Sequence, residues 1–261
     1  MRDSPPISRV AQAFDRAEAY DDVADVQRAA AGNLARKIAA EHDGPVDSIL
    51  EIGCGTGFLT RAIAHEMAIA PPRWIVSDIA PAMVERARQR GPAMADYRVI
   101  DGEAIDPAIG QFDLICSSLA FQWFNDLPRA AAAMQAMLNP GGLFAFATMA
   151  RGSFHEWRAA HRPEGHEPGT PDYPDAVMLR ALAAEGIKAE IEIVDVPQPE
   201  ADARAFLHRL KAIGAGTPRG DHAPLDGGTL RRIMRRFDAG ERIATYRIAF
   251  CLFRAPKRRR P

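Results

Sequence analysis

The stretch EIGCGTG, residues 51–57, stands where a short apolar run gives way to a helical pattern. Glycines at its third, fifth and seventh positions let the backbone turn sharply and approach a ligand closely. The helix that follows presents free amides and a positive dipole end, which favour an anionic group. The spacing is G-x-G-x-G behind an acid, Glu51, whereas a nicotinamide-binding turn prefers G-x-G-x-x-G. By itself this turn is a weak signal, so its surroundings decide what it binds.

Short apolar runs alternate with helical patterns around this turn. Such alternation is typical of a parallel sheet with helices on both faces, and these sheets bind ligands at the carboxyl ends of their strands. We interpret as buried strands the runs at 48–52, 73–78, 97–100, 112–118 and 143–149, with helices near 57–68, 81–90 and 126–138. The sequence therefore predicts an α/β fold with a doubly wound sheet.

The pattern changes beyond residue 150. Prolines and glycines between 150 and 187 break regular structure. Beyond them we predict helical segments near 201–213 and 227–238, which lie between a sixth strand at 191–196 and a long seventh strand at 243–255. We predict an N-terminal helical lid over 1–45, a ligand-binding core over 46–150, a substrate lobe over 151–240 with one core strand near 189–196, the last core strand over 241–255 and a basic tail over 256–261.

Composition narrows the class of protein. The chain has 261 residues and a formal net charge of −1, which gives no general attraction to nucleic acid or membrane. Its three cysteines form no C-x-x-C pair, a usage that fits a reducing compartment. We find no signal-peptide pattern at the N-terminus and no apolar run near the roughly 18 residues of a membrane span. We expect a cytoplasmic monomer without nucleic-acid or membrane partners.

Acidic residues follow the next two predicted strands. Asp78 ends the second strand, where a carboxylate can accept both hydroxyls of a ribose. Asp101 and Gly102 follow the third strand, where an acid and an amide can read an adenine edge. FDLI (112–115) leads the fourth strand, and NPGG (139–142) predicts a tight turn before the fifth. Together with the glycine turn, these features resemble the class I S-adenosylmethionine-dependent methyltransferases, which implies a Rossmann-like methyltransferase sheet.

The segment ahead of the sheet predicts a helix over the cofactor. Asp22 is expected as its N-cap and Asp25 at its third position, where the helix dipole favours negative charge. Tyr20 and Gln27 offer hydrogen-bond donors to the carboxylate of the cofactor's methionine part. The apolar face at helical spacing consists of Val23, Val26, Ala30, Leu34 and Ile38.

Five segments resemble one methyltransferase family in order along the chain. They are FDRAEAYDDVADVQRAAAGNLA (14–35), SSLAFQWFNDL (117–127), RGSFHEWRAA (151–160), FLHRLKAIGAG (206–216) and TYRIAF (245–250). They are similar to the malonyl-acyl-carrier-protein O-methyltransferases of biotin synthesis (BioC type). The resemblance implies transfer of a methyl group from S-adenosylmethionine, leaving S-adenosylhomocysteine, to the free carboxylate of a malonyl thioester early in pimeloyl synthesis. It leaves open whether an acyl carrier protein or coenzyme A carries that thioester.

This chemistry needs positioning more than proton transfer. A carboxylate is already ionised at neutral pH, so the attack requires no general base. The site does need a cation for the malonyl carboxylate, and the candidates are Arg158, which we prefer, and Lys211. Gln122 and Trp123 are expected to wall the transfer site, and we expect no metal. The predicted cofactor-binding residues are Tyr20, Gln27, Glu51, Gly53, Gly55, Gly57, Asp78, Ile79, Met83, Asp101, Gly102, Glu103, Ser117 and Ser118.

Other interpretations stay open at this stage. A related branch of the fold modifies a protein during respiratory-complex assembly, and another small molecule or an RNA is also a conceivable acceptor. A cofactor-binding assembly factor without transfer activity would carry the same glycine turn. RRIMRRF (231–237) places four arginines close together on a predicted helix. They form a candidate docking patch for the acidic carrier protein that the resemblance implies.

Overall fold

The computed structural model describes residues 24–41, 44–68, 71–212 and 224–257. A seven-stranded sheet of order β3-β2-β1-β4-β5-β7-β6 runs through the molecule. The first five strands are mutually parallel, as predicted, and β7 lies antiparallel to both of its neighbours. The strands are β1 (Ser48–Ile52), β2 (Arg73–Asp78), β3 (Asp96–Val99), β4 (Phe112–Ser118), β5 (Leu138–Met149), β6 (Lys188–Pro199) and β7 (Ile243–Arg254).

Helices cover the sheet in two buried clusters. One cluster joins the sheet to α1, α2, α3, α5, α7 and α8, and the other joins it to α4 and α6. The helices are α1 (Asp25–Glu41), α2 (Phe58–Met67), α3 (Pro81–Arg90), α4 (Leu127–Ala136), α5 (His155–His161), α6 (Ala176–Arg180), α7 (Ala203–Ala212) and α8 (Gly227–Ala239). Among the residues described, no helix is long and apolar enough to cross a membrane.

Burial along the strands follows their place in the sheet. Every residue of the central strand β1 is buried, whereas the edge strand β6 alternates between exposed and partly buried residues. A strand covered on both faces reads as a continuous apolar run, and a half-covered edge strand alternates. Helices α7 and α8 lie between β6 and β7 in the chain, in the order that the sequence predicts, and the substrate role of this lobe stays a prediction.

The sequence placed the start of the first helix wrongly. The carbonyl of Ala24 accepts a hydrogen bond from the amide of Arg28 (N–O distance 2.9 Å), and the helix begins at Asp25. Asp25 is therefore the first helical residue and not the third, although its charge still lies in the first turn, where the dipole favours it. The predicted N-cap Asp22 lies outside the described residues. Val26, Ala30, Leu34 and Ile38 are buried, as predicted from their spacing.

The tight turn predicted at NPGG is present, within a wide bulge near the start of β5. Strand β5 begins at Leu138 and runs through these four residues, and its register against β4 shifts between Phe112 and Leu114. The chain just beyond β7 pairs with this bulge, since the amide of Ala255 donates to the carbonyl of Gly142 (2.9 Å). Within the bulge the chain turns tightly: Gly141 has a left-handed φ of 81°, and a Cβ atom on Gly142 would lie 2.8 Å from the carbonyl oxygen of Asn139.

Asp113 ties β4 to β1 and to this bulge. Its carboxylate accepts bonds from the amide and hydroxyl of Ser48 (3.0 and 2.8 Å) and from the side-chain amide of Asn139 (2.7 Å). Burial acts to raise the pKa of Asp113, but the hydrogen bonds outweigh it and hold the pKa below its usual value. The ionised carboxylate therefore helps to hold together the amino ends of β1, β4 and β5.

Candidate active site

The glycine turn has the backbone that its sequence requires. Gly53, Gly55 and Gly57 have φ values of 68°, 53° and 84°, in the left-handed region that favours glycine. A Cβ atom added to Gly53 would lie 2.3 Å from the Cβ of Ala120, which is closer than any real contact. The turn therefore packs directly against the segment that follows β4, and only glycine fits at position 53.

Asp78 holds this turn against the end of β2. One carboxylate oxygen accepts a bond from the amide of Gly55 and the other from the amide of Ala80, each at 2.9 Å. The residue is only 8% exposed, yet it lines the cleft above the turn. Because each carboxylate oxygen has a second lone pair, Asp78 can still accept hydroxyl groups from a ligand. Its predicted contact with a ribose remains a prediction.

A cleft opens at the carboxyl ends of β1, β2 and β4, where the topology predicts one. It encloses about 910 Å³, counting the open solvent at its mouth. Most of the residues predicted for the cofactor meet in its lining, together with the predicted wall residue Trp123. Those that line it are Gln27, Gly53, Gly55, Asp78, Ile79, Asp101, Gly102, Glu103, Ser118 and Trp123.

Apolar side chains pack against Gly102 at one end of the cleft. A Cβ atom on Gly102 would lie 2.6 Å from Cγ2 of Ile52 and 2.7 Å from Cζ of Phe124, so these groups meet over the Gly102 backbone. Asp101 accepts a bond from the amide of Glu103 (2.9 Å) through one oxygen. Asp101 thus lies beside apolar side chains at this end of the cleft, and its predicted contact with an adenine remains a prediction.

Glu103 closes this end of the cleft. Its carboxylate accepts bonds from the side chain of Asn125 (3.1 Å) and from the amide of Asp126 (2.7 Å). The segment between β4 and α4 is thereby fastened to the segment after β3, with Phe124 on the cleft side of the fastening. Glu103 thus shapes the cleft through these two bonds.

Glu51 lies beneath the turn and is not part of the cleft lining. Its side chain is buried, one carboxyl oxygen accepts a bond from the hydroxyl of Thr60 (2.8 Å), and the other has no partner among the described residues. Burial, with a smaller contribution from Asp78, raises the pKa of Glu51 to about 8. The group is therefore protonated at neutral pH. Its predicted contact with the cofactor stays a prediction.

Several other predicted cofactor residues also lie behind the lining. Met83 and Ser117 are fully buried, and the Ser117 hydroxyl has no partner among the described residues. Gly57 packs against Ala87 of α3 and supports the turn from behind. Tyr20 falls outside the described part of the chain. The roles of Met83, Ser117 and Gly57 remain predictions, since burial does not place these residues at the cleft surface, and the role of Tyr20 remains a prediction as well.

Gln122 braces the wall that Trp123 belongs to. Its side-chain amide donates to the carbonyl of Leu119, and its oxygen accepts a bond from the hydroxyl of Thr148 on β5 (3.4 Å). Leu119 has a left-handed φ of 53° and lines the cleft, so Gln122 stabilises a strained residue there. Gln122 itself lies outside the lining, and its predicted catalytic role remains a prediction.

The two candidate cations lie on the lobe and not in the cleft lining. The Arg158 guanidinium on α5 binds the Thr170 hydroxyl (2.8 Å) and lies 3.4 Å from a carboxylate oxygen of Glu167. Lys211 is exposed near the end of α7, and the residues that follow it, 213–223, are not described. Arg158 thus fastens the proline- and glycine-rich segment after α5 to that helix. Substrate binding by either residue stays a prediction.

Sequence reasoning missed the apolar part of the lining. Phe58 and Leu59 begin α2 directly after the glycine turn, Ile100 directly follows β3, and Leu119 and Phe124 flank the 3₁₀ turn after β4. Their positions next to the quoted motifs are the signal that could have identified them. A residue adjacent to a strand end at the ligand edge of the sheet is as well placed as the motif residue itself.

Comparison with known proteins agrees with this geometry. Residues 49–142 match a family model described as a methyltransferase domain. The N-methyltransferase NodS of Bradyrhizobium japonicum, solved with S-adenosyl-L-homocysteine, superposes with a TM-score of 0.53 at 20% identity, over 95% of this chain and all of that one. The plantazolicin methyltransferase BpumL gives 0.54 at 12% identity over 95% of each chain. The fold and cleft are those of a class I S-adenosylmethionine-dependent methyltransferase.

Closer relatives define the family. The chain is 42% identical over 253 residues to the biotin biosynthesis bifunctional protein BioCD of Bordetella avium, covering 97% of this chain and 53% of that protein. It is 33% identical over 250 residues to the malonyl-acyl-carrier-protein O-methyltransferase of Magnetococcus marinus, covering 93% and 90%. The chain belongs to the malonyl-acyl-carrier-protein O-methyltransferase family.

Proposed function

We propose that this protein methylates the free carboxylate of malonyl-acyl carrier protein with S-adenosylmethionine, an early step of biotin synthesis. The observation that carries the proposal is the match to the Magnetococcus marinus enzyme, which extends over 90% of that enzyme's length. The chain spans about half the length of the bifunctional Bordetella avium protein.

The residues of the cleft suit the cofactor. The glycine turn offers amides and a close approach, and we assign Asp78 to the ribose hydroxyls and Asp101 to the edge of the adenine, since both line the cleft. Gln27 reaches the cleft from α1, on the side where the methionine part is expected. When bound, S-adenosylmethionine supplies a methyl group activated for transfer to a nucleophile.

The chemistry of the lining agrees with a reaction that needs no general base. Its described titratable residues are Cys54, Asp78, Asp101 and Glu103, without a histidine, lysine or arginine. The Cys54 thiol is buried, and burial raises its pKa well above the usual value, so it is not a nucleophile at neutral pH. A malonyl carboxylate is itself the nucleophile, and the chain's task is to orient it. Its counter-cation comes from outside this lining, with Arg158 and Lys211 as the candidates.

Intact-mass spectrometry tests the proposal. We expect malonyl-acyl carrier protein, incubated with the protein and S-adenosylmethionine, to gain the mass of one methyl group and to lose it on mild ester hydrolysis. No gain, with cofactor binding shown separately, would refute the proposed acceptor and favour another one or a non-catalytic role.

Asp78→Ala tests the cofactor part of the proposal. The variant should bind S-adenosylmethionine more weakly by about 1–3 kcal/mol, because a charged hydrogen-bond acceptor is lost. Isothermal titration calorimetry measures the affinity, and circular dichroism checks that the variant folds, since Asp78 also holds the Gly55 turn. An unchanged affinity in a folded variant would contradict the assignment of Asp78.

The expected compartment also belongs to the proposal. Cys54, Cys116 and Cys251 are all free and buried, which supports a reducing compartment such as the cytoplasm. The expected monomer, and the absence of nucleic-acid and membrane partners, remain predictions.

A further inference from the structure

The two helices of the lobe between β6 and β7 concentrate positive charge. Helices α7 and α8 pack through the stacked rings of Phe206 and Phe237, whose centroids lie 5.8 Å apart. Residues 203–239 contain eight lysines and arginines against three aspartates, in a chain whose net charge is −1. The rest of the chain is therefore acidic overall.

The two aspartates at the ends of α8 both accept hydrogen bonds from backbone amides within the lobe. Asp226 caps α8 by accepting bonds from the amides of Gly228 (2.8 Å) and Thr229 (3.0 Å). Asp238 accepts a bond from the amide of Ala203 at the start of α7 (2.6 Å). Both carboxylates thus serve helix ends, and neither is interspersed among the outward-facing basic side chains.

The four arginines of α8 divide into two pairs. Arg232 and Arg236 both bind the carboxylate of Glu164, with Nε of Arg232 at 2.8 Å. Arg231 and Arg235 are exposed, and neither has an ion-pair partner among the described residues. The sequence-based docking patch of four arginines is therefore halved, because two of the four fasten α8 to the segment after α5.

Helix α7 adds an exposed basic face of its own. Arg209 is used internally, since it binds the buried carboxylate of Glu200 (2.9 Å). The exposed positions at helical spacing are Arg204, His208 and Lys211, and they too have no ion-pair partner in the described part of the chain.

We propose that this basic face, defined by Arg204, His208, Lys211, Arg231 and Arg235, docks the acidic carrier protein that presents the malonyl thioester. The inference rests on the proposed function, which supplies an acidic protein as the occupant. Complementary charges raise the association rate and set the orientation of a partner. Apart from Lys211, which is also a candidate for the malonyl carboxylate, the residues of this face would therefore act on capture of the carrier protein and leave the methyl-transfer step unchanged.

The test compares two substrates and two variants. Arg204→Glu/Arg235→Glu reverses the basic face without touching Lys211, which is a candidate for the malonyl carboxylate. Arg36→Glu/Arg129→Glu makes the same change in net charge at two exposed arginines on α1 and α4. Each protein is assayed with malonyl-acyl carrier protein and with malonyl-pantetheine, which has the same reactive end but no protein.

We expect the basic-face variant to lose about tenfold or more in kcat/KM for malonyl-acyl carrier protein, mainly through KM, and to keep its activity on malonyl-pantetheine. The wild-type rate on the protein substrate should fall with added salt, and the variant's rate should fall less. The control variant should resemble the wild type on both substrates.

Three results would overturn the inference. Equal losses on both substrates would place the effect in the site or the fold, and no loss on the protein substrate would show that docking lies elsewhere. A loss of the same size in the control variant would show that only net charge matters. If the wild type methylates neither substrate, the proposed function itself fails, and that outcome is distinct from an active wild type with an unaffected variant.

Discussion

Glu51→Gln should make the protein less sensitive to pH between 5 and 8. Glu51 is buried under the glycine turn, with one oxygen bound by Thr60 and the other without a partner among the described residues. Burial raises its pKa from 4.5 to about 8, Asp78 raises it further, and the Thr60 bond and Arg61 act in the opposite direction. Glutamine keeps an acceptor for Thr60 and has no proton to release in this range.

The magnitude follows from linkage between protonation and folding. Between the pKa of the unfolded chain, near 4.5, and that of the native protein, near 8, the native state holds one proton that the unfolded state has released. Stability therefore falls as pH rises, by up to about 1.4 kcal/mol per pH unit. From pH 5 to pH 8 the wild type should lose about 4 kcal/mol of unfolding free energy from this group alone, and the glutamine variant should lose none of it.

Urea unfolding at pH 5, 6, 7 and 8 measures the effect. The difference in unfolding free energy between wild type and Glu51→Gln should grow steadily in favour of the variant, with a relative midpoint shift of about 1–2 M urea across the range. Glu241→Gln, the same change at an exposed position, should follow the wild type at every pH. Parallel curves for wild type and Glu51→Gln would show that Glu51 is ionised in the native protein and refute the reasoning.

Three further changes test separate parts of the structure. Gly53→Ala should lose about 2–5 kcal/mol of unfolding free energy in a urea titration, because residue 53 has a left-handed φ and the added Cβ atom would overlap the Cβ of Ala120. Gly44→Ala is the control: among the described residues no atom lies within 4 Å of its added Cβ atom, so its unfolding free energy should change little. Asp113→Ala should cost about 1–3 kcal/mol at pH 7. Because the native pKa of Asp113 is lowered, this deficit should shrink as pH falls below about 4; a deficit independent of pH would contradict the role of the charge. Arg158→Ala should raise the KM for the malonyl substrate and leave cofactor affinity unchanged in calorimetry; unaltered kinetics would leave Lys211 as the candidate.

The cofactor cleft was largely predictable because its determinants are local. Gly53, Asp78 and Asp101 each stand at the end of a short apolar run, and parallel strands bring such ends to one edge of the sheet. The sequence did not show that Asp78 also binds the glycine turn, or that Glu103 fastens the segment before α4. Those bonds join residues more than twenty positions apart, and the spacing within a motif contains no information about them.

Charged residues of the lobe were harder to interpret, for a physical reason. In RRIMRRF the helical period alone predicts that Arg231 and Arg235 share one face and Arg232 and Arg236 another. It does not say which face meets an acid, because Glu164 precedes the helix by about seventy residues and reaches it only in the folded chain. The number of arginines in a run is thus an upper limit on the positive charge that can bind a partner. Ion pairs with acids from distant parts of the chain determine how many of these arginines stay available. On α8 the two arginines without an ion-pair partner among the described residues are Arg231 and Arg235. They lie on the same lobe as the exposed basic residues of α7, and the sequence pattern alone did not link the two helices.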